Sequence, residues 1–188
     1  MKKNYDCRRI TMFIFLIFLA SSNICFAGVD LRTLSIGGVS TSSKEEYVKN
    51  IYGEPDRIVS DDYGHVGYYY GDFFIKFYEP AMGRAFEITT AGDNGLVTER
   101  GLSVGSDESL IIQLYGDPDS EWIDYDGRVC PSLNSFFQQH GRRKVDTIKK
   151  NEDGSTIYKY FTSMAETSFF VTVKNKKVIK ISILCNCP

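Results

Sequence analysis

The hexapeptide IYGEPD at residues 51–56 returns 63 positions later as LYGDPD at residues 114–119. Carried outward, SKEEYVKNIYGEPD (43–56) lies over SDESLIIQLYGDPD (106–119) without a gap. The shared phrase has the chemistry of a helix terminator. Gly53 and Gly116 suit the left-handed residue that follows a helix, and Pro55 and Pro118, two positions on, cannot continue one. Upstream, Ser43 with Glu46 predicts a capping box, while Ser106 with Asp107 and Glu108 places a cap and two acids at the positive end of the helix dipole. Tyr47, Val48 and Ile51 answer to Leu110, Ile111 and Leu114 as one apolar stripe. The acids near the second copy, Asp117, Asp119 and Glu121, do not make an EF-hand loop, because Trp122 stands where that loop requires glycine.

Strands follow each predicted helix. YYYGDFFIKFYE (68–79) reads as a hairpin turning at Gly71 and Asp72, since a two-residue turn with glycine first matches strand twist. Counting by twos puts Tyr68, Tyr70, Phe73, Ile75 and Phe77 on one face and Tyr69, Phe74, Lys76 and Tyr78 on the other. AFEITT (85–90) supplies a third strand, with Phe86 and Ile88 expected on the buried side. The second half offers TIYKYF (156–161), TSFFVTVK (167–174) and KVIKISIL (177–184), the last two turning at Asn175 and Lys176. FFVTVK lies over FFIKFY, so Phe169, Val171 and Val173 face the core, and Phe170, Thr172 and Lys174 take the outer places of Phe74, Lys76 and Tyr78. The expectation is an α+β chain of two tandem helix-plus-three-strand units, residues 28–98 and 99–188. Pro118 stands farther from its following strand than Pro55 does, which places an insertion at about 127–155 in the second unit.

Ahead of these units, Lys2, Lys3, Arg8 and Arg9 precede the apolar run Ile10–Ala20, and Cys25 and Ala27 fit the small-residue positions before a cut at Gly28. Residues 1–27 therefore predict a secretory signal peptide, with an uncleaved anchor as the alternative. The run is short of the roughly 20 residues a membrane-spanning helix needs, so no integral span is expected after cleavage. Removal of this segment leaves 161 residues with 18 Lys and Arg against 23 Asp and Glu. That balance argues against nucleic acid, whose binding runs on surplus cations. The remaining cysteines, Cys130, Cys185 and Cys187, would meet an oxidising periplasmic or extracellular compartment. Cys185 and Cys187 are too close to bridge each other without strain, so the expected disulfide joins Cys130 to Cys185 or to Cys187. His65 and His140 have no spacing that would complete a metal site with them, and neither metal nor cofactor is expected.

A short helix ending in Gly-x-Pro, a tyrosine-rich strand and a hairpin such as TSFFVTVKNKKVIKISIL resemble two related exported groups. One is the β-lactamase-inhibitor protein (BLIP-like) family, built from two such units; the other is the single-unit SmpA/OmlA-type lipoprotein of the bacterial outer-membrane barrel assembly machinery. The resemblance implies a curved antiparallel sheet shared by two repeats, helices on one face, and an opposite face that grips another protein without chemistry. This chain departs from the inhibitors in showing one helix per unit and in its insertion. No enzyme-contacting residue of the inhibitors matches here, so β-lactamase inhibition is not carried over.

Parity alone assigns Tyr69, Phe74, Lys76, Tyr78, Glu87 and Thr89, then Phe170, Thr172, Lys174, Lys180 and Ser182, to the outer face. Aromatics edged with charge are what protein interfaces enrich, although the insertion could instead cover them. Within it, PSLNSFFQQHG (131–141) predicts a short helix whose Phe136 and Phe137 turn inward as a lid or outward as an anchor, inward being the commoner fate of Phe. Arg142, Arg143, Lys144, Lys149 and Lys150 form either a solvated charge run or a surface for an acidic partner or anionic envelope. No nucleophile elbow, phosphate loop or metal motif occurs, so the chain is not expected to be an enzyme. The expected partner-binding residues are Tyr69, Phe74, Lys76, Tyr78, Phe170, Lys174, Phe136 and Phe137. The expected function is an exported protein-binding module, an enzyme inhibitor as a special case. The alternatives are an envelope assembly factor and a binder of small molecules or wall polymer.

Overall fold

A computed structural model of the chain describes residues 28–78, 83–161 and 167–185; the predicted signal segment and Cys187 lie outside them. In chain order the elements are α1 (Glu45–Tyr52), β1 (Arg57–Ser60), β2 (Val66–Tyr70), β3 (Phe73–Phe77), β4 (Ala85–Thr90), α2 (Ser109–Tyr115), β5 (Trp122–Ile123), β6 (Val129–Cys130), α3 (Leu133–Gln139), β7 (Ile148–Lys150), β8 (Thr156–Phe161), β9 (Thr167–Lys174) and β10 (Lys177–Cys185). Eight strands make one antiparallel sheet in the order β1-β2-β3-β4-β10-β9-β8-β7, and β5 pairs with β6 in a separate hairpin. The architecture is thus α+β, a large antiparallel sheet with three short helices.

Each half of the large sheet contributes four strands rather than the expected three. The additional strands, β1 and β7, are short and mostly exposed sheet edges whose RIVS and IKK sequences carry no apolar–polar alternation to betray them. Alternation elsewhere holds. Tyr68, Phe73, Ile75 and Phe77 are buried with Ile88, Phe169, Val171, Val173, Ile181 and Ile183 in one core cluster. One exception is Phe86: the register shifts between Lys76 and Phe77, which pair with Glu87 and Ala85, and Phe86 becomes the extra residue of a bulge. A bulge turns the following side chain off the strand's two-residue period, so Phe86 leaves the core side expected for it.

The helices pack on the core face through Val48, Ile111 and Tyr115. The apolar stripe of α1 is rotated from the expected one: Tyr47 and Ile51 are each 48% exposed, and Val48 and Tyr52 carry the contact. Tyr52 meets Phe73 at 5.2 Å between ring centroids, as Tyr115 meets Phe169 at 4.7 Å.

Neither predicted serine cap is made. Ser43 Oγ accepts instead from the Ser40 N–H at 3.0 Å, and Ser106 Oγ from the Ser103 N–H at 3.2 Å. The helix starts are satisfied by the sheet. Glu45 N–H donates to Gly83 O at 3.2 Å and Glu108 N–H to Lys176 O at 3.0 Å, so strand-side carbonyls take the donors that a capping side chain would otherwise satisfy. The helix ends do stop at the repeated glycines. Gly53 and Gly116 have φ of 79° and 72°, and each N–H donates back into its helix at 2.8 Å. Tyrosines of the sheet then hold both ends of each helix. Tyr70 donates to Gly53 O at 3.2 Å and Tyr160 to Gly116 O at 3.0 Å. Tyr68 donates to the Glu45 carboxylate, and Tyr158 to Glu108 Oε1 at 2.7 Å. Burial first, then the neighbouring carboxylate, pushes the Tyr68 and Tyr158 hydroxyls up to about 12.

Tyr160→Phe should cost more stability than Tyr70→Phe, because Tyr160 is buried and Tyr70 only half-buried. Urea unfolding is expected to show a loss of about 1–2 kcal/mol for the first, from a buried carbonyl left unmatched, and under about 0.5 kcal/mol for the second. Equal losses would mean that the two tethers are not distinguished by burial.

Candidate protein-interaction face

With α1 and α2 on the core side, the opposite face of the sheet is built from the alternate residues of every strand. Following the strand register across seven of the eight strands, from β1 to β8, gives one row: Arg57, Tyr69, Phe74, Thr89, Ser182, Phe170 and Lys159. It runs from a cation through two aromatics, two hydroxyls and a third aromatic to a cation. Strands spaced roughly 4.8 Å apart give its six steps a span of about 29 Å.

Local chemistry sets these side chains. The Arg57 guanidinium lies 3.9 Å from the Tyr69 ring centroid, and Tyr69 meets Phe74 at 4.6 Å. Gly67 makes room for the Phe74 ring: a Cβ there would come within 2.6 Å of it. At the centre Thr89 donates its hydroxyl to Ser182 Oγ at 2.9 Å, joining β4 to β10 on this face as well. Phe170 stands edge-on to Phe161 at 6.0 Å. A shallow, open groove of about 360 Å³ lies over the Tyr69–Phe74–Thr89 part of the row, lined also by Glu87, Lys180 and the Gly71–Asp72 turn with Ala91.

Beside the row stands a second cluster that sequence parity divided wrongly. Tyr78 and Phe86 stack at 4.1 Å, with the His65 ring 5.0 Å from Phe86 and Lys76 Nζ 5.5 Å from the same ring. Asp61 ties the cluster together. Its Oδ2 lies 2.8 Å from Lys76 Nζ and 2.9 Å from His65 Nδ1, and its Oδ1 accepts from the Tyr63 and His65 N–H groups. The Lys76 ammonium, followed by the His65 hydrogen bonds, holds the Asp61 carboxyl well below the usual carboxylate range.

Of the residues expected to bind a partner, Tyr69, Phe74 and Phe170 share the row, Lys76 and Tyr78 sit in the adjoining cluster, and Lys174 lies on the same face, 3.6 Å from Asp153. Phe136 and Phe137 do not join them. The predicted helix forms, capped by Ser132 Oγ accepting from Ser135 N–H at 3.2 Å, but it buries Leu133 and Asn134 instead. Asn134 clasps Val145 in both directions at 2.7 and 3.1 Å. Phe136 and Phe137 are left half-buried outside the core cluster, Phe136 against His140 at 4.3 Å and Phe137 under Arg142 at 5.8 Å, so the inward lid is not formed. The pairing of Cys130 with Cys185 is not formed either. Both are free thiols, Cys130 on the β5–β6 hairpin outside the main sheet and Cys185 at the end of β10 within it. The alternative partner, Cys187, falls outside the described residues. The sequence alone places neither Arg57 nor Lys159 on this face and puts Phe86 on the other; the strand register brings the first two here and the β4 bulge brings Phe86. Among the described residues no helix is long and apolar enough to cross a membrane, and no group of three His, Cys, Asp or Glu is placed to hold a metal ion.

No family model and no curated protein matches the chain. Among solved structures it is similar to a DUF4309 family protein of Bacillus subtilis, at 15% identity and a TM-score of 0.42 over 79% of this chain and 83% of that one. It is also similar to a cysteine-rich secretory protein of Staphylococcus aureus (13%, TM-score 0.40, 86% and 50% covered). A third is an extracellular protein containing an SCP domain from Bacillus anthracis (11%, TM-score 0.40, 77% and 44% covered).

Asp61→Asn should expose the contribution of the Asp61 knot through pH. A carboxyl that titrates lower in the folded chain stabilises it fully above the unfolded value of about 3.9, and that contribution is lost as pH falls through the folded value. The Tm gap between wild type and Asp61→Asn is therefore expected to narrow as pH falls below about 4. A gap that does not change with pH would remove the ion pair as its source.

Proposed function

We propose that the chain is an exported, non-enzymatic protein-binding module that engages its partner with the helix-free face of the sheet. The observation that carries this reading is the row from Arg57 to Lys159, in which half-buried Tyr69 and Phe74 pack together and half-buried Phe170 packs on Phe161, on the face away from α1 and α2. Rigid aromatics bury large area at low entropic cost, and a shallow open groove suits a macromolecular surface better than an enclosed small molecule. Capture of an enzyme as an inhibitor is the narrower form of the same activity. The predicted signal peptide at residues 1–27 places it in the periplasm or outside the cell.

The scaffold is, in this reading, a tandem duplication of the type that the β-lactamase-inhibitor resemblance implies. Its support is the recurrence of whole bonding sets: Ser40–Ser43 with Ser103–Ser106, Tyr68–Glu45 with Tyr158–Glu108, and Tyr70–Gly53 with Tyr160–Gly116. Helix residues recur at an interval of 63, and the tyrosines at an interval of 90. The difference, 27 residues, falls at 120–146, which moves the insertion upstream of the 127–155 expected from sequence and makes β5, β6 and α3 its content.

Immobilised mature protein should recover a partner from native envelope or culture medium, and a Tyr69→Ala, Phe74→Ala, Phe170→Ala variant with an unchanged melting curve should lose it. Re-binding of the purified partner is expected to weaken at least about tenfold, since central aromatics carry most interface energy. Equal recovery by wild type and variant would overturn the assignment of this face.

A further inference from the structure

Charge is distributed unevenly across the sheet. The strands β7, β8, β9 and β10 hold six lysines and no acidic residue, in a chain whose formal net charge is −2. Lys149, Lys159, Lys174 and Lys180 all occupy positions on the open face. Lys174 is met by Asp153, whereas Lys149, Lys159 and Lys180 have no carboxylate partner among the described residues. On the other half, Lys76 is met by Asp61, and Glu87 adds a negative charge. Among the described residues Arg57 of β1 has no carboxylate partner, and it is stacked on Tyr69 at the far end of the row.

We infer that the partner is an acidic protein whose contact strip is apolar in the middle and carries carboxylates at both ends, about 29 Å apart. This rests on the assignment of the open face as the binding surface and names the chemistry that the face selects. One end of the strip meets the Arg57 guanidinium, whose planar fork suits a carboxylate. The other meets Lys159 on β8, with Lys149 on the neighbouring strand β7, while Lys180 lines the groove between the ends beside Glu87. Between the two ends Tyr69, Phe74 and Phe170 take apolar side chains, and the Thr89–Ser182 hydroxyl pair offers the middle of the row a hydrogen-bonding step. A polyanion such as polyphosphate would need cations spaced all along its length. Here the row itself carries cations only at its two ends, with aromatics flanking a central hydroxyl pair, and Lys180 beside it is accompanied by Glu87, so a polypeptide is the better complement.

The test uses the mature protein and four soluble probes read by fluorescence anisotropy. They are a nine-residue peptide of sequence DDFSFSFDD, which spans about 30 Å when extended, the charge-reversed KKFSFSFKK, the apolar-depleted DDSSSSSDD, and sodium polyphosphate. DDFSFSFDD is expected to bind at least about tenfold more tightly than each of the others and to weaken as salt is raised. Lys159→Glu and Arg57→Glu should each weaken it about tenfold, while Arg57→Lys, which keeps the charge but not the fork or the stacking, should weaken it less than Arg57→Glu. Melting curves of the variants exclude misfolding as the cause. Equal binding of KKFSFSFKK, tighter binding of polyphosphate, or no measurable binding of DDFSFSFDD would each overturn the acidic-strip inference. In that event the aromatic triple variant still decides separately whether this face binds a partner at all.

Discussion

The pairing of β4 with β10 joins two runs of four strands into one sheet, and both faces depend on it. On the core side it sets Ile88 against Ile183, so that the apolar residues carried by β3 and β9 pack in one cluster with them. On the open side it sets Thr89 against Ser182, bonded at 2.9 Å, and so makes one row out of two shorter ones. A slip of one residue here would bring Ile88 and Ile183 to solvent and carry hydroxyls inward, which is why the core fixes the register of the surface. Separately, each run would also expose a long middle strand as an edge, the arrangement most open to unwanted pairing.

The helices depend on the sheet in turn. At eight and seven residues, α1 and α2 are far below the length at which an isolated helix persists in water, and neither has a side-chain cap. Their stability comes from what surrounds them: strand carbonyls at their first turns, a buried Val48 or Ile111 and Tyr115 beneath them, and tyrosine hydroxyls on the last carbonyls. The repeated Gly-x-Pro phrase is therefore only part of each helix end. Its carbonyl is also an anchor point, and the tyrosine that uses it lies 17 residues away in one half and 44 in the other.

Sequence was most informative where a periodic demand was long enough to show. The two-residue period of β2, β3 and β9 revealed the core, the open face and most of the aromatic row before any coordinates. The turns at Gly71 and at Asn175–Lys176 also lie where expected, with positive φ at all three residues. Short elements were illegible: β1 and β7 have four and three residues, too few to establish a period, and with them Arg57 and Lys149 went unassigned to any face. The β4 bulge hid Phe86 for a different reason, because counting by twos fails at one unpaired residue. The serine caps are a local pattern, whereas the Glu45 and Glu108 N–H groups at the helix starts are taken by the Gly83 and Lys176 carbonyls, distant in sequence. Phe136 and Phe137 went astray because a seven-residue helix has more than one apolar side, and Leu133 took the buried one.

The two faces of the sheet live under different constraints. On the core side, Tyr68 and Tyr158, or Tyr70 and Tyr160, make the same bond in both halves, because each must both fill space and satisfy a helix end. On the open side the positions that the proposed duplication would pair differ: Lys76 with Thr172, Tyr78 with Lys174, and His65 with Ser155. No helix rests on those residues, so a change of chemistry there costs the fold little beyond a surface ion pair, worth under about 1 kcal/mol. The same exemption makes the aromatics harder to explain by folding alone. Tyr69, Phe74 and Phe170 could be threonines without opening a cavity in the core cluster, to which none of them belongs. Large rings at these three positions, in a row with a cation at each end, are a feature that packing does not require and that the proposed recognition of another surface would use.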